Sequence, residues 1–156
     1  MAELREGAPA PELDFITDWR RKLSLSTLQS HIVVLYFYPK DDTPGCTKEA
    51  IAFSEKKAEF EALGARIIGV SKDSPDSHNR FKAKHGFELD LATAESDEAL
   101  EPWGAWVEKS MYGKRYMGID RMTVLIDKEG VVRRIWRKVK VPGHVEEVLA
   151  AVKALS

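Results

Sequence analysis

At 156 residues, 44% hydrophobic and 31% charged, the chain has the size and make-up of one soluble globular domain, read here as spanning 1–156, and a disordered chain is excluded. The net charge is −1 with both signs spread along the sequence, which excludes the electrostatic footprint of a nucleic-acid or anionic-membrane binder.

The first residues, MAELREGAPAPEL, are acidic and lack an apolar core, so no signal peptide is expected. With one cysteine and no export signal, the expected compartment is a reducing cytoplasm. Leu13–Thr17 and Lys22–Leu25 alternate apolar with polar residues and predict a small hairpin, after which Ser26 caps a short helical turn. His31–Tyr38 is apolar on both faces and β-branched, which predicts a central strand covered by helices, and it is far too short to cross a bilayer.

A helix is predicted from about Pro44 to Leu63, with Ala50, Phe53, Lys57, Phe60 and Leu63 near one stripe and Gly64 as its stop. Ala65–Ser71 predicts a second interior strand. Ser74-Pro75 opens a helix to about His85, closed by Gly86. Met122–Asp127 and Val131–Val139 flank a glycine-containing turn and predict a hairpin. The basic run Arg133–Lys140 reads as the solvated face of its second strand. A final amphipathic helix over about Gly143–Leu155 buries Val145, Val148, Leu149 and Val152. The order β-α-β-α-β-β-α is that of a thioredoxin-like α/β sandwich, a mixed sheet flanked by helices.

The only cysteine, Cys46, follows Thr43-Pro44-Gly45. Threonine occupies an N-cap position and proline the first helical position, so Cys46 falls third in the helix, among N–H groups without an intrahelical partner. That position favours a thiolate over a thiol, and Gly45 leaves room beside the sulfur for a substrate. A lone cysteine is also a common small buried hydrophobe. On these residues alone both readings of Cys46 stand.

The segment FYPKDDTPGCTKEA resembles the active-site segment of peroxiredoxins, and in detail that of the bacterioferritin-comigratory-protein (PrxQ) subfamily. The family pattern of proline, three residues, threonine, two residues and cysteine falls on Pro39, Thr43 and Cys46. The family arginine before a late strand matches Arg121 in GIDRMTVLID, and Met111–Gly118 is similar as well. The resemblance implies a thiol peroxidase reducing hydrogen peroxide and organic hydroperoxides through a sulfenic acid on Cys46. Arg121 would stabilise the thiolate and bind the peroxide, Thr43 would hydrogen-bond the peroxide, and Pro39 would shield the sulfur.

Many members of the subfamily carry a second, resolving cysteine. Here Ile51 stands at one such position and Ser77–Lys84 contains none, so the resemblance implies reduction by an external thiol: thioredoxin, glutaredoxin or glutathione. It also implies a monomer. The alternative on the same fold is a peroxide sensor that relays oxidation to a partner without turnover, and a third is a non-redox interaction module.

No cofactor or metal is expected: His31, His78, His85 and His144 show no ligand spacing, and no phosphate-binding glycine loop occurs. His78 and His85 read as surface or packing residues, and Asp41 and Asp42 as solvating a turn. Trp103 and Trp106 suit core packing or an apolar collar at the site mouth.

Overall fold

The computed structural model describes residues 4–28 and 30–155. β3 (Ile32–Phe37) is buried at every position, as its unbroken apolar sequence requires. It pairs in parallel with β4 (Ala65–Ser71), with Leu35 opposite Ile68, and antiparallel with β8 (Met122–Ile126), with Phe37 opposite Met122. The hairpin partner of β8 is β9 (Val132–Arg137), whose Arg133 and Arg134 are exposed. On the other side β4 pairs in parallel with β5 (Asp90–Ala94), which pairs antiparallel with β1 (Asp14–Thr17), and β1 with β2 (Lys22–Ser24). The sheet order is β2-β1-β5-β4-β3-β8-β9.

Helices α1 (Pro44–Ala62), α2 (Pro75–His85) and α4 (His144–Leu155) cover the face that carries Val34, Tyr36 and Leu125. The opposite face buries Val33, Leu35, Phe37 and Val124 under Leu4, Leu13, Leu25, Leu28 and Trp103. This mixed sheet flanked by helices is the α/β sandwich that the element order predicts. No helix among the described residues is long and apolar enough to cross a membrane.

Several elements differ from the sequence reading. β5, with sequence DLATA, is short and built largely of small residues, so it gives little strand signal, yet it joins the first hairpin to the sheet. A short helix α3 (Asp97–Leu100) follows, capped by Ser96, and a one-turn 3-10 segment from Glu101 to Trp103. A separate antiparallel ribbon, β6 (Trp106–Met111) with β7 (Lys114–Ile119), stands outside the main sheet. Its charged and apolar residues are mixed on both faces, so it carries no clean alternation. Ser26 lies inside the 3-10 turn Leu25–Leu28 rather than ahead of it, and the Thr27 hydroxyl donates to the Ser24 carbonyl. Trp103 is fully buried with its ring 5.5 Å from that of Phe37, which makes it core, and Trp106 is half-buried against the same cluster.

Candidate active site

The strand that ends at Phe37 delivers the chain to an exposed Pro39, a turn at Asp41–Asp42 and then α1. Pro44, Gly45 and Cys46 are the first three helical residues. Thr43 has the extended backbone of an N-cap, but its hydroxyl donates to the Lys40 carbonyl at 3.0 Å and caps nothing. Its own carbonyl accepts from the Thr47 N–H and hydroxyl, at 2.9 and 2.7 Å. The carbonyl thus takes the first bond of the helix, no side-chain cap is made, and the Thr43 side chain braces the turn.

Arg121 immediately precedes β8, and because Met122 is opposite Phe37 it arrives at the same sheet end as the turn before α1. Its Nη2 donates to Cys46 Sγ at 3.1 Å, and its Nη1 to Glu49 Oε1 at 2.5 Å. Cys46 is only 2% exposed and packs with Tyr36, Tyr38, Ala50 and Phe53. A Cβ on residue 45 would lie 3.2 Å from Arg121 Nη2, so the room beside the sulfur that Gly45 leaves is taken up by the guanidinium.

Glu49 was not singled out by its sequence context, yet it is fully buried one helical turn from Cys46. The available signal was a carboxylate next to Ala50 on the buried stripe of α1. Burial pushes the Glu49 carboxyl up to about 7 against the opposing pull of Arg121. Its Oε2 and the Tyr36 hydroxyl are buried without a hydrogen-bond partner. Burial, then Glu49, raises the Tyr36 phenol, which remains protonated. Burial opposes the Arg121 charge, but Glu49 and Cys46 more than offset it and raise its pKa, so the guanidinium keeps its proton.

The turn itself is anchored to α2. Asp41 is buried rather than solvated: it accepts from Tyr38 Oη at 2.6 Å and Ser77 Oγ at 2.8 Å, and its Oδ2 lies 2.8 Å from His78 Nδ1. His78 is fully buried, with Nε2 3.1 Å from the Ala92 carbonyl. Asp42 is exposed and takes Lys84 Nζ at 2.6 Å and His85 Nε2 at 2.7 Å. His85, then Lys84, holds the Asp42 carboxyl below the usual carboxylate range. Across the sheet end, His144 is buried against Thr123, with Nε2 2.8 Å from Oγ1, and packs edge-on to Phe53 and Trp136. Burial lowers the His144 pKa to about 4.

A family model described as AhpC/TSA matches residues 6–135. The chain is 46% identical over 143 residues to a putative peroxiredoxin bcp of Coxiella burnetii, covering 92% of this chain and 95% of the relative. It is 45% identical over 150 residues to peroxiredoxin Bcp of Bacillus subtilis, covering 96% of each. Among solved structures, the Xanthomonas campestris bacterioferritin comigratory protein, in a trapped intermediate/ligand complex tied to alkyl peroxide reduction, superposes with a TM-score of 0.85 at 44% identity, covering 91% and 90% of the two chains. A cysteine-to-serine mutant of Xylella fastidiosa PrxQ gives a TM-score of 0.90 at 35% identity over 99% and 98%.

Proposed function

From a chain that belongs to the AhpC/TSA family and is a peroxiredoxin of the Bcp type, we infer a thiol-dependent peroxidase whose chemistry is carried by Cys46. The observation that supports this most directly is the 3.1 Å bond from Arg121 Nη2 to Cys46 Sγ, a permanent positive charge on the only sulfur nucleophile. Sγ attacks the terminal oxygen of a hydroperoxide, the O–O bond breaks, and the departing oxygen leaves as water or an alcohol after taking up a proton. Arg121 sits where charge develops on that oxygen, and the Thr43 hydroxyl, whose proton goes to the Lys40 carbonyl, keeps acceptor sites for the O–H of the peroxide. Pro39 shapes the turn, Gly45 admits the guanidinium, and Glu49 positions it.

The sequence contains no second cysteine, so an external thiol returns Cys46 to its reduced form, and glutathione, glutaredoxin and thioredoxin are the candidates. The balance is one hydroperoxide and two thiol groups giving alcohol, water and a disulfide. The enzyme acts as a monomer, and its one free thiol suits a reducing cytoplasm.

The test is to add one equivalent of hydrogen peroxide, trap with dimedone and read the intact mass. Peroxide consumption is then followed with excess dithiothreitol. A Cys46 adduct and catalytic consumption are expected. No adduct sinks the reading, and an adduct without thiol-dependent turnover transfers the case to a peroxide relay.

A further inference from the structure

Because Cys46 is 2% exposed, an external thiol meets its sulfenic acid only if the turn before α1 yields. That turn is under restraint. Asp42 holds a left-handed backbone at φ 61°, a conformation that asparagine and aspartate tolerate better than other side chains, and α2 grips its carboxylate through Lys84 and His85. Between the turn and α2 lies a cavity of about 360 Å³, lined by Asp41, Asp42, Ser77, Arg80, Phe81 and Lys84. Small-ligand sites start at roughly 300 Å³. Three further cavities open at the opposite end of the sheet, around His31, Ile32 and Gly64. Arg80 is exposed and, among the described residues, has no ion-pair partner, although it lies one helical turn from Lys84 on the same face of α2.

We propose that this cavity is the docking site of the external reductant, and that the reductant is a small thiol bearing carboxylate groups. The proposal rests on the one-cysteine peroxidase reading above. One carboxylate pairs with the unengaged Arg80. A second competes with Asp42 for Lys84 and His85, which loosens the grip on the turn and opens the way to Sγ. An ammonium on the same molecule takes the released Asp42 carboxylate. Cys46 lies four positions after Asp42, at most about 14 Å of extended chain and less here because Pro44–Cys46 are helical, so a thiol of tripeptide size spans the gap. The thiol sulfur attacks the sulfenic sulfur: an S–S bond forms, the S–O bond breaks, and the hydroxyl leaves as water with the thiol proton. A second thiol attacks the mixed disulfide, releases the Cys46 thiolate and carries away the disulfide product, so two thiols supply the two electrons.

The experiment forms the sulfenic acid with one equivalent of hydrogen peroxide and confirms it by dimedone mass before any thiol is added. Its consumption by glutathione (anionic), dithiothreitol (neutral) and cysteamine (cationic) is then timed, with each rate corrected for thiolate fraction. Glutathione should react at least about tenfold faster than cysteamine, and the ratio should shrink between about 20 mM and about 0.5 M salt. Arg80→Glu and Lys84→Glu should each lower that ratio about tenfold, with Arg80→Gln intermediate. Equal rates for the three thiols, a ratio unmoved in Arg80→Glu, or reduction only by a dithiol protein overturns the proposal. Absence of the dimedone adduct is a separate result, and it overturns the peroxidase reading along with this one.

Discussion

Two carboxylates flank Cys46 and behave in opposite ways. Asp42, four residues before it, is exposed, gripped by Lys84 and His85 of α2 and held below the ordinary carboxylate range. Glu49, three residues after it, is fully buried on one guanidinium and pushed up to about 7. The residue chemistry is the same on both sides, and solvent access reverses the outcome. A solvated carboxylate gains from each cation it meets, whereas a buried one first loses its hydration and recovers only part of that loss from a single partner. The turn before the cysteine is thus a charged clasp, and the helical turn after it holds a carboxylate poised to change charge near neutral pH.

The largest effect is expected from removing the group that joins Glu49 to the sulfur. Arg121→Ala should slow sulfenic acid formation by about 10²- to 10³-fold in stopped-flow measurements, the scale on which a preorganised donor to developing charge is missed. A loss below about threefold would show that Arg121 does not act on the reacting oxygen.

Next comes the pH dependence of stability. The folded Glu49 pKa of about 7 lies above its ordinary 4.5, so its contribution is complete at low pH and is lost as pH rises towards about 7. Glu49→Gln should remove a decline of about 3 kcal/mol between pH 4.5 and 8 in denaturant titrations. An unchanged pH profile in this variant would mean that Glu49 titrates alike in the folded and unfolded chains.

His144 works in the other direction. Its folded pKa of about 4 is below its ordinary 6.5, so the stability it permits is complete above about 6.5 and is lost as pH falls. His144→Phe leaves the Thr123 hydroxyl unpaired and should be the weaker protein at pH 7.5, with the gap narrowing by about 2 kcal/mol at pH 5. The two residues oppose each other between about pH 4.5 and 6.5, so each variant should unmask the slope of the other. A gap that stays constant with pH would mean that His144 takes up its proton alike in the folded and unfolded chains.

The smallest effect belongs to the exposed member of the comparison. Asp42 has a lowered folded pKa, so its contribution is present above its ordinary 3.8 and is lost as pH falls through the folded value. Asp42→Asn should lower the melting temperature slightly at neutral pH and flatten the profile below about pH 4, where variant and parent converge. A drop at pH 7 comparable to that of a core substitution would place Asp42 among the structural residues instead.

Much of the main sheet was legible because β3, β4, β8 and the amphipathic α4 carry strong periodic patterns. β5 was missed because its alanines and threonine pack well only between β1 and β4, a fit that appears after those strands assemble. The β6–β7 ribbon was missed because neither of its faces is a clean core face. At the site, the spacing of Pro39, Thr43 and Cys46 could be read along the chain, since all three lie within eight residues. Glu49 was passed over because a glutamate in a helix is ordinarily solvated. Asp41 was misjudged for the same reason, His78 takes the packing role of its two readings, and the packing of α2 against the turn makes both interior.

The sequence by itself determined where the helix containing Cys46 begins and that the chain offers only one thiol, because Pro44 and the cysteine count are local facts. It also carried the resemblance that named Arg121. Only the tertiary structure decided that Arg121 Nη2 lies 3.1 Å from Sγ, that Glu49 shares the guanidinium, and that α2 clasps the turn in front of them. The 75-position separation of Cys46 and Arg121 is closed by the pairing of β8 with β3. Desolvation, which sets the charge of Glu49 and His144, comes into being only when that sheet end is covered.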